Sequence, residues 1–260
     1  EFLGFHPRPV QSQFLRHRHR QSLLNCSRQW GKSTVAAALA VHRLVFGRPG
    51  GVTLVIAPSH RQSAELLAKA AAFLCRLDIT PRGDGRNEHS LLMPNGSRVV
   101  ALPGVADTTR GFSADLLIVE EAALVPDETY LAMRPSLAAT QGAIVALSTP
   151  AGPRGFFYEA WAAGGAEWDR WRVPATDCPH FPPGFLDRER RAMGDYSEPA
   201  EPGPSNAFLA FRPRYTNPAT YLRRPRTGSQ PVALSLVFKP EGRASCGMNQ
   251  LQYPRSTLRY

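Results

Sequence analysis

Apolar residues in this chain fall into short unbroken runs, separated by alanine-rich or polar stretches of helix length. Val52–Ala57, Leu116–Val119 and Ala143–Leu147 are continuous and rich in β-branched residues, the pattern of strands buried on both faces of a parallel sheet. Leu23 and Leu24 form a shorter run, and Trp168–Val173 supplies a last strand. Helices are predicted over Ser33–Phe46, over Arg61–Arg76 behind Pro58-Ser59, from Asp127 to about Ala139, and over Phe156–Ala163. Leu91–Met93 and Arg98–Leu102 flank Pro94-Asn95-Gly96-Ser97. Asn-Gly between apolar runs signals a hairpin, here a small antiparallel addition at the sheet edge. The strand–helix alternation predicts a three-layer α/β domain with a mostly parallel sheet and helices on both faces.

The last part of the chain breaks this pattern. Residues 196–260 hold nine prolines, scattered arginines and only three acidic residues, with one short apolar run at Val232–Phe238. Such a segment buries too little apolar surface to fold alone. It is read either as a frame-shifted or degraded translation or as an unrelated disordered extension. The expected organisation is therefore a domain over 1–175, a linker over 176–195 and the tail over 196–260.

Composition changes the picture only slightly. At 260 residues with 43% hydrophobic content, the chain can bury a sizeable core. It has no run of membrane-spanning length and no signal-peptide pattern, so a soluble intracellular protein without membrane contact is expected. The net charge of +10 does not by itself establish a nucleic-acid partner. Residues 196–260 supply +6 of it, from nine Lys and Arg against three Asp and Glu. Cys26, Cys75, Cys178 and Cys246 lack metal-ligand spacing and read as reduced structural thiols. His17 and His19, set among arginines, read as part of a solvated basic face.

The chemistry gathers at two strand ends. Leu23-Leu24 lead into Cys26-Ser27-Arg28-Gln29-Trp30-Gly31-Lys32-Ser33-Thr34, followed by the alanine-rich helix. Strand, turn, Gly-Lys-Ser and helix form the context of a phosphate-binding loop, with backbone N–H groups and the helix dipole facing the anion. Lys32 would bring positive charge to the β- and γ-phosphates of ATP, and the Ser33 hydroxyl would ligate Mg²⁺. Cys26 stands where such loops usually open with glycine. An ordinary strand-to-helix turn is the plainer reading of the same residues.

The second end is Leu116–Val119 running into Glu120-Glu121. A strand can deliver one carboxylate to the metal, here Glu120, and a second to the attacking water as general base, here Glu121. Aspartate is commoner at the first position. Ser148-Thr149, ending the Ala143–Leu147 strand, could sense the γ-phosphate, because ligands of open α/β sheets bind at the strands' C-terminal ends, or could simply be a strand end followed by a helix cap. Gln11, upstream of the loop, could read an adenine edge with its amide, or lie on a surface helix with a solvated basic face.

In this order the motifs resemble the large subunit of tailed-phage terminase, the ATPase of the DNA-packaging motor. The resemblance rests on Ser27-Arg28-Gln29 before Gly31-Lys32-Ser33, and Ala57-Pro58-Ser59 with Arg61-Gln62. It continues with Arg110-Gly111-Phe112-Ser113 before Leu116–Glu121, and Leu147-Ser148-Thr149-Pro150 with Gly155-Phe156-Phe157. It covers about residues 5–195. It implies a P-loop NTPase fold, with a nucleotide site made by Gln11, Ser27, Arg28, Gln29, Trp30, Gly31, Lys32, Ser33 and Thr34.

The resemblance further implies that Arg28 approaches the γ-phosphate beside Lys32, that Glu121 is the base, and that Ser148-Thr149 couple hydrolysis to movement. Mg²⁺-ATP hydrolysis would then drive double-stranded DNA into a procapsid. The implied partners are a portal ring and a terminase small subunit, and the implied place is the host cytoplasm, transiently at the portal. A homo-oligomeric ring with Arg134 or Arg154 acting in trans would fit. The family's nuclease part, with its clustered acidic ligands, is not expected from this chain. The alternatives are a helicase-like nucleic-acid motor and a non-catalytic prophage remnant that only binds nucleotide.

Overall fold

The computed structural model describes residues 3–87, 89–103, 111–178 and 181–192. Arg110, the 196–260 tail and Cys246 lie outside them. Helix α1 (Pro9–Arg16) precedes β1 (Gln21–Cys26), α2 (Lys32–Phe46), β2 (Val52–Ala57) and α3 (His60–Arg76). β3 (Ser90–Leu92), β4 (Arg98–Pro103), β5 (Leu116–Glu120), α4 (Asp127–Met133) and β6 (Ala143–Ser148) follow. α5 (Gly155–Ala163), β7 (Asp169–Val173) and α6 (Phe185–Ala192) complete the order.

The seven strands form one sheet in the order β3-β4-β2-β5-β6-β1-β7. Every pairing is parallel except β3 with β4. The Asn95-Gly96 turn makes the expected edge hairpin, with Gly96 at φ 81°. Only β3 is the antiparallel addition, because β4 runs parallel to β2 and belongs to the main sheet.

Strand alternation divides the core between two faces. Leu24, Val55, Ile118 and Val145 pack with Val35, Leu44, Leu66 and Leu74 of α2 and α3. Leu23, Ile56, Val119 and Ala146 pack with Tyr130, Met133, Phe157 and Trp161 of α4 and α5. These are the three layers that the apolar runs predict.

Ser59 caps α3 by accepting from the Gln62 N–H and donating to its Oε1 at 2.8 Å. The bond from the Gln62 N–H satisfies one of the donors left open at the helix start. The single helix expected from Asp127 to Ala139 is instead α4 followed by a 3₁₀ turn over Arg134–Leu137. Pro135 explains the change, since it has no N–H and its ring blocks the carbonyl four residues back. Among the described residues, no helix is long and apolar enough to cross a membrane.

The basic run near the N-terminus is not uniformly solvated. Arg16, Arg18 and Arg20 are exposed, but His19 is 6% exposed and packs on Phe14, with ring centroids 4.5 Å apart. Its Nε2 lies 2.9 Å from the Phe14 carbonyl, which only accepts, so Nε2 carries the proton and Nδ1 accepts from Ser22 Oγ at 2.8 Å. His17 is half-buried and meets Asp169 at 2.8 Å. The period of a helix followed by a turn at His17 sends alternate members of the run to opposite sides.

Burial, then the neighbouring His17, lower the His19 pKa to about 4, from an ordinary value of 6.5. Between those values the unfolded chain binds a proton that the folded chain refuses, so stability falls as pH drops from 6.5 toward 4. The loss attributable to this residue is about 3 kcal/mol at the acid end. Urea unfolding at pH 7 and pH 4.5 should therefore show a steeper loss for the unaltered chain than for His19→Gln. Equal slopes would place the acid sensitivity elsewhere.

Candidate functional site: a phosphate loop facing two carboxylates

Sheet order decides what meets what. β6 lies between β1 and β5, so the strand carrying the loop and the strand carrying the carboxylates flank the one ending in Ser148. In register, Asn25 of β1 faces Ser148, and Glu120 of β5 faces Leu147. The loop, the Ser148-Thr149 pair and both glutamates therefore emerge side by side at the C-terminal ends of three adjacent parallel strands.

The loop's shape comes from two left-handed positions, Gln29 at φ 61° and Gly31 at φ 93°. Gly31 is the N-cap of α2 and has no side chain to cap it, which leaves first-turn N–H groups open to an anion. A Cβ at Gly31 would also sit 3.0 Å from Gln11 Nε2. Cys26 has no positive φ, so the backbone does not demand glycine there. Its side chain is buried at the end of β1, where burial above all pushes the thiol up to about 12, against the pull of Lys32. It is a packing residue and not a nucleophile.

Lys32 is 8% exposed, and its ammonium donates to Thr149 Oγ1 at 2.8 Å. The same Nζ lies 3.5 Å from Glu121 Oε1. Ser33 Oγ donates to Glu120 Oε1. Glu120 is 5% exposed, and burial, aided by the like charge of Glu121, raises its pKa although Ser33 and the lysines oppose this. Glu121 follows the strand in a left-handed conformation, φ 48° and ψ 46°. That is a costly backbone for a side chain of this kind, and it lets Glu121 meet Lys32. Ser148 Oγ accepts from the Ala123 N–H at 3.1 Å and donates to the Thr149 carbonyl at 2.9 Å. It thereby ties the turn after Glu121 to the end of β6.

The structure thus brings together Lys32, Ser33, Glu120, Glu121 and Thr149, with Ser148 joining two of the segments. Arg28 and Gln29 are exposed on the loop, Trp30 is buried beneath it, and Thr34 starts α2 with its N–H on the Gly31 carbonyl at 3.1 Å. Gln11 reaches the loop, but its amide donates to the Trp30 carbonyl at 2.7 Å. Arg134 is exposed and lies over the Tyr130 ring, 5.9 Å from its centroid, and Arg154 is exposed as well.

Sequence reasoning misses Arg8, which also donates to the Trp30 carbonyl. Its signal is the three-residue spacing from Gln11 across a helix start. Asn25 is missed too, a polar residue in an apolar strand that is 3% exposed.

A nucleotide and Mg²⁺ fit this arrangement. The Ser27 hydroxyl and the Asn25 Nδ2 are buried beside the loop with no hydrogen-bond partner among the described residues, and such groups call for a ligand or water. Ser33 Oγ and Glu120 already share one point in space. No cluster of three metal-ligating His, Cys, Asp or Glu occurs among the described residues. Mg²⁺ takes one or two protein oxygens and completes its shell with phosphate and water, and the Ser33–Glu120 pair offers two such oxygens.

Comparison with known proteins bears on the family and the fold. The family "Terminase large subunit, T4likevirus-type, N-terminal" matches residues 23–191. The terminase large subunits of Thermus phage G20c and Thermus virus P23-45 are each 30% identical over a stretch covering 63% of this chain and 38% of their own length. The chain therefore spans well under half of these relatives. The large terminase ATPase domain of Thermus phage P74-26 superposes with a TM-score of 0.59 at 23% identity, covering 74% of this chain and 87% of that one. The large terminase of a thermophilic bacteriophage, solved in complex with ADP, gives 0.55 at 14% identity, covering 70% and 49%. These likenesses give the fold, that of a P-loop NTPase. The chain belongs to the terminase large subunit family, and what it carries is that family's N-terminal domain of the T4-like type.

Proposed function

We propose that this chain is an ATP-hydrolysing motor domain that moves double-stranded DNA into a procapsid. The observation that carries the reading is the convergence of Lys32 and Ser33, at an uncapped helix N-terminus, on Glu120 and Glu121. Relatives described as ATPase domains, and one solved with ADP, support it.

The loop N–H groups and Lys32 bind and orient the phosphate chain. Ser33 and the Glu120 carboxylate would hold Mg²⁺, which would supply neutralisation of the charge that develops on phosphoryl transfer. Glu121 accepts the proton of the attacking water, its oxygen held near the phosphates by the turn at φ 48°. Arg28, exposed on the loop, swings toward the transferred group. Thr149 gives up Lys32 to the phosphate, and the end of β6 reports that exchange through Ser148 to the turn at Ala123. Double-stranded DNA, a portal ring and a small subunit are the partners this role requires, in the host cytoplasm and at the portal.

The test is phosphate release from Mg²⁺-ATP by the purified chain, with and without double-stranded DNA and portal. Release that rises with portal and DNA but separates no strands supports the packaging role. Strand separation would mark a helicase-like motor. ATP binding without release under any condition would mark a nucleotide-binding remnant.

A further inference from the structure

Two donors from one short turn converge on a single carbonyl of the phosphate loop. Arg8 Nη2 and Gln11 Nε2 both donate to the Trp30 oxygen, at 2.5 and 2.7 Å. Gln11 Oε1 is itself engaged, accepting the Arg8 N–H at 2.9 Å. Arg8 is the N-cap of α1, and Pro9 at the first helical position fixes the turn. The two side chains are thus held at helical spacing on one face. Gln11 is 2% exposed, so its amide is a buried part of the loop's support and not an open edge.

The carbonyl they hold lies between the two left-handed residues, Gln29 and Gly31, on which the loop's shape depends. Trp30 itself is 2% exposed, so its side chain anchors the same peptide from below. With the carbonyl held by two donors and the indole packed in the core, the peptide that leads into α2 has little freedom to turn. Freed of its donors, the Trp30 carbonyl would lose both partners in a poorly hydrated place, and the loop would gain reason to rotate.

We infer that Arg8 and Gln11 are positioning residues for the phosphate loop, acting through the Trp30 carbonyl, and that they set affinity for the phosphate chain more than choice of base. This rests on the nucleotide-binding reading. It differs from the sequence expectation for Gln11, in which the amide reads adenine.

Calorimetric titration of Mg²⁺-ATP, Mg²⁺-GTP and base-free tripolyphosphate separates the two roles. Gln11→Met keeps the volume and removes both polar atoms, and Gln11→Ala serves if that variant misfolds. The expected result is a loss of about tenfold for all three ligands, the effect of one buried hydrogen bond left unmade. Arg8→Lys, which keeps charge and a donor, should lose less than Arg8→Met. A loss confined to ATP would overturn the inference and restore adenine reading. Unchanged affinities in variants with lowered melting temperature would reduce both residues to scaffolding and overturn it too. If the unaltered chain binds none of the three ligands, the nucleotide reading falls and takes the inference with it. Binding by the unaltered chain with no loss in the variants sinks the inference alone.

Discussion

Glu121→Gln should abolish phosphate release while leaving nucleotide binding intact or slightly tighter. The side chain keeps its size and its place on the left-handed turn, so the loop and Thr149 have no reason to move. What it loses is the ability to take a proton, and a positioned general base contributes roughly 10²- to 10⁴-fold to such a reaction. The second part of the expectation comes from Lys32. Its ammonium lies 3.5 Å from the Glu121 carboxylate, and phosphate must compete for it. An amide competes less well than a carboxylate, so ATP should meet less resistance. Single-turnover phosphate release and fluorescent-nucleotide titration on the same preparations read the two effects separately. Turnover within twofold of the unaltered chain would remove Glu121 from the role of base. Glu120 would not inherit it readily, since its carboxylate is held by Ser33 and buried away from open water.

How far the sequence reaches depends on which force settles each residue. The six residues of β2 and the five of β5 are legible because a continuous β-branched run in a parallel sheet leaves no alternative pattern. The Gly31-Lys32-Ser33 turn is legible for the same local reason. Cys26 looks like a defect only if the usual glycine is taken as a backbone need, and here the left-handed positions fall at Gln29 and Gly31 instead. Pro135 is in plain view, yet the polar pattern after Met133 reads through it as one helix.

The remaining misses are tertiary. His19 sits in a charged run, but its imidazole packs on Phe14 and His17, and β7 brings Trp171 against both of those rings, 5.4 Å from Phe14 and 5.5 Å from His17 between centroids. No local pattern contains the Asp169–Val173 strand and the Phe14 helix together. Gln11 is found through its offset from the loop, while its partner on that loop, a backbone carbonyl, has no sequence signature. The bond from Lys32 to Thr149 spans 117 residues and follows only from β6 lying between β1 and β5.

That bond underlies the second large effect. Lys32→Ala should weaken Mg²⁺-ATP binding by roughly a hundredfold, since hydrogen bonds to charged groups contribute about 1.5–3 kcal/mol and each 1.4 kcal/mol is tenfold. Hydrolysis should vanish at ordinary nucleotide concentrations. Folding should suffer much less. Glu121 loses a cation, but its side chain is 25% exposed and water can solvate the carboxylate. Thr149 Oγ1 loses a donor and retains a hydroxyl that can turn elsewhere. A change within about 1 kcal/mol in unfolding free energy is therefore expected. Nucleotide titration beside urea unfolding distinguishes a lost ligand contact from a damaged fold. Unaltered affinity in a folded Lys32→Ala protein would mean that phosphate does not lie at this helix start, and the assignment of Ser33 and Glu120 to the metal would go with it. Lost affinity together with a drop of several kcal/mol in stability would instead make the Lys32–Thr149–Glu121 contact a structural clasp. In that case Lys32→Met, which keeps the aliphatic stem in its buried channel, would have to restore the fold without restoring binding for the phosphate role to stand.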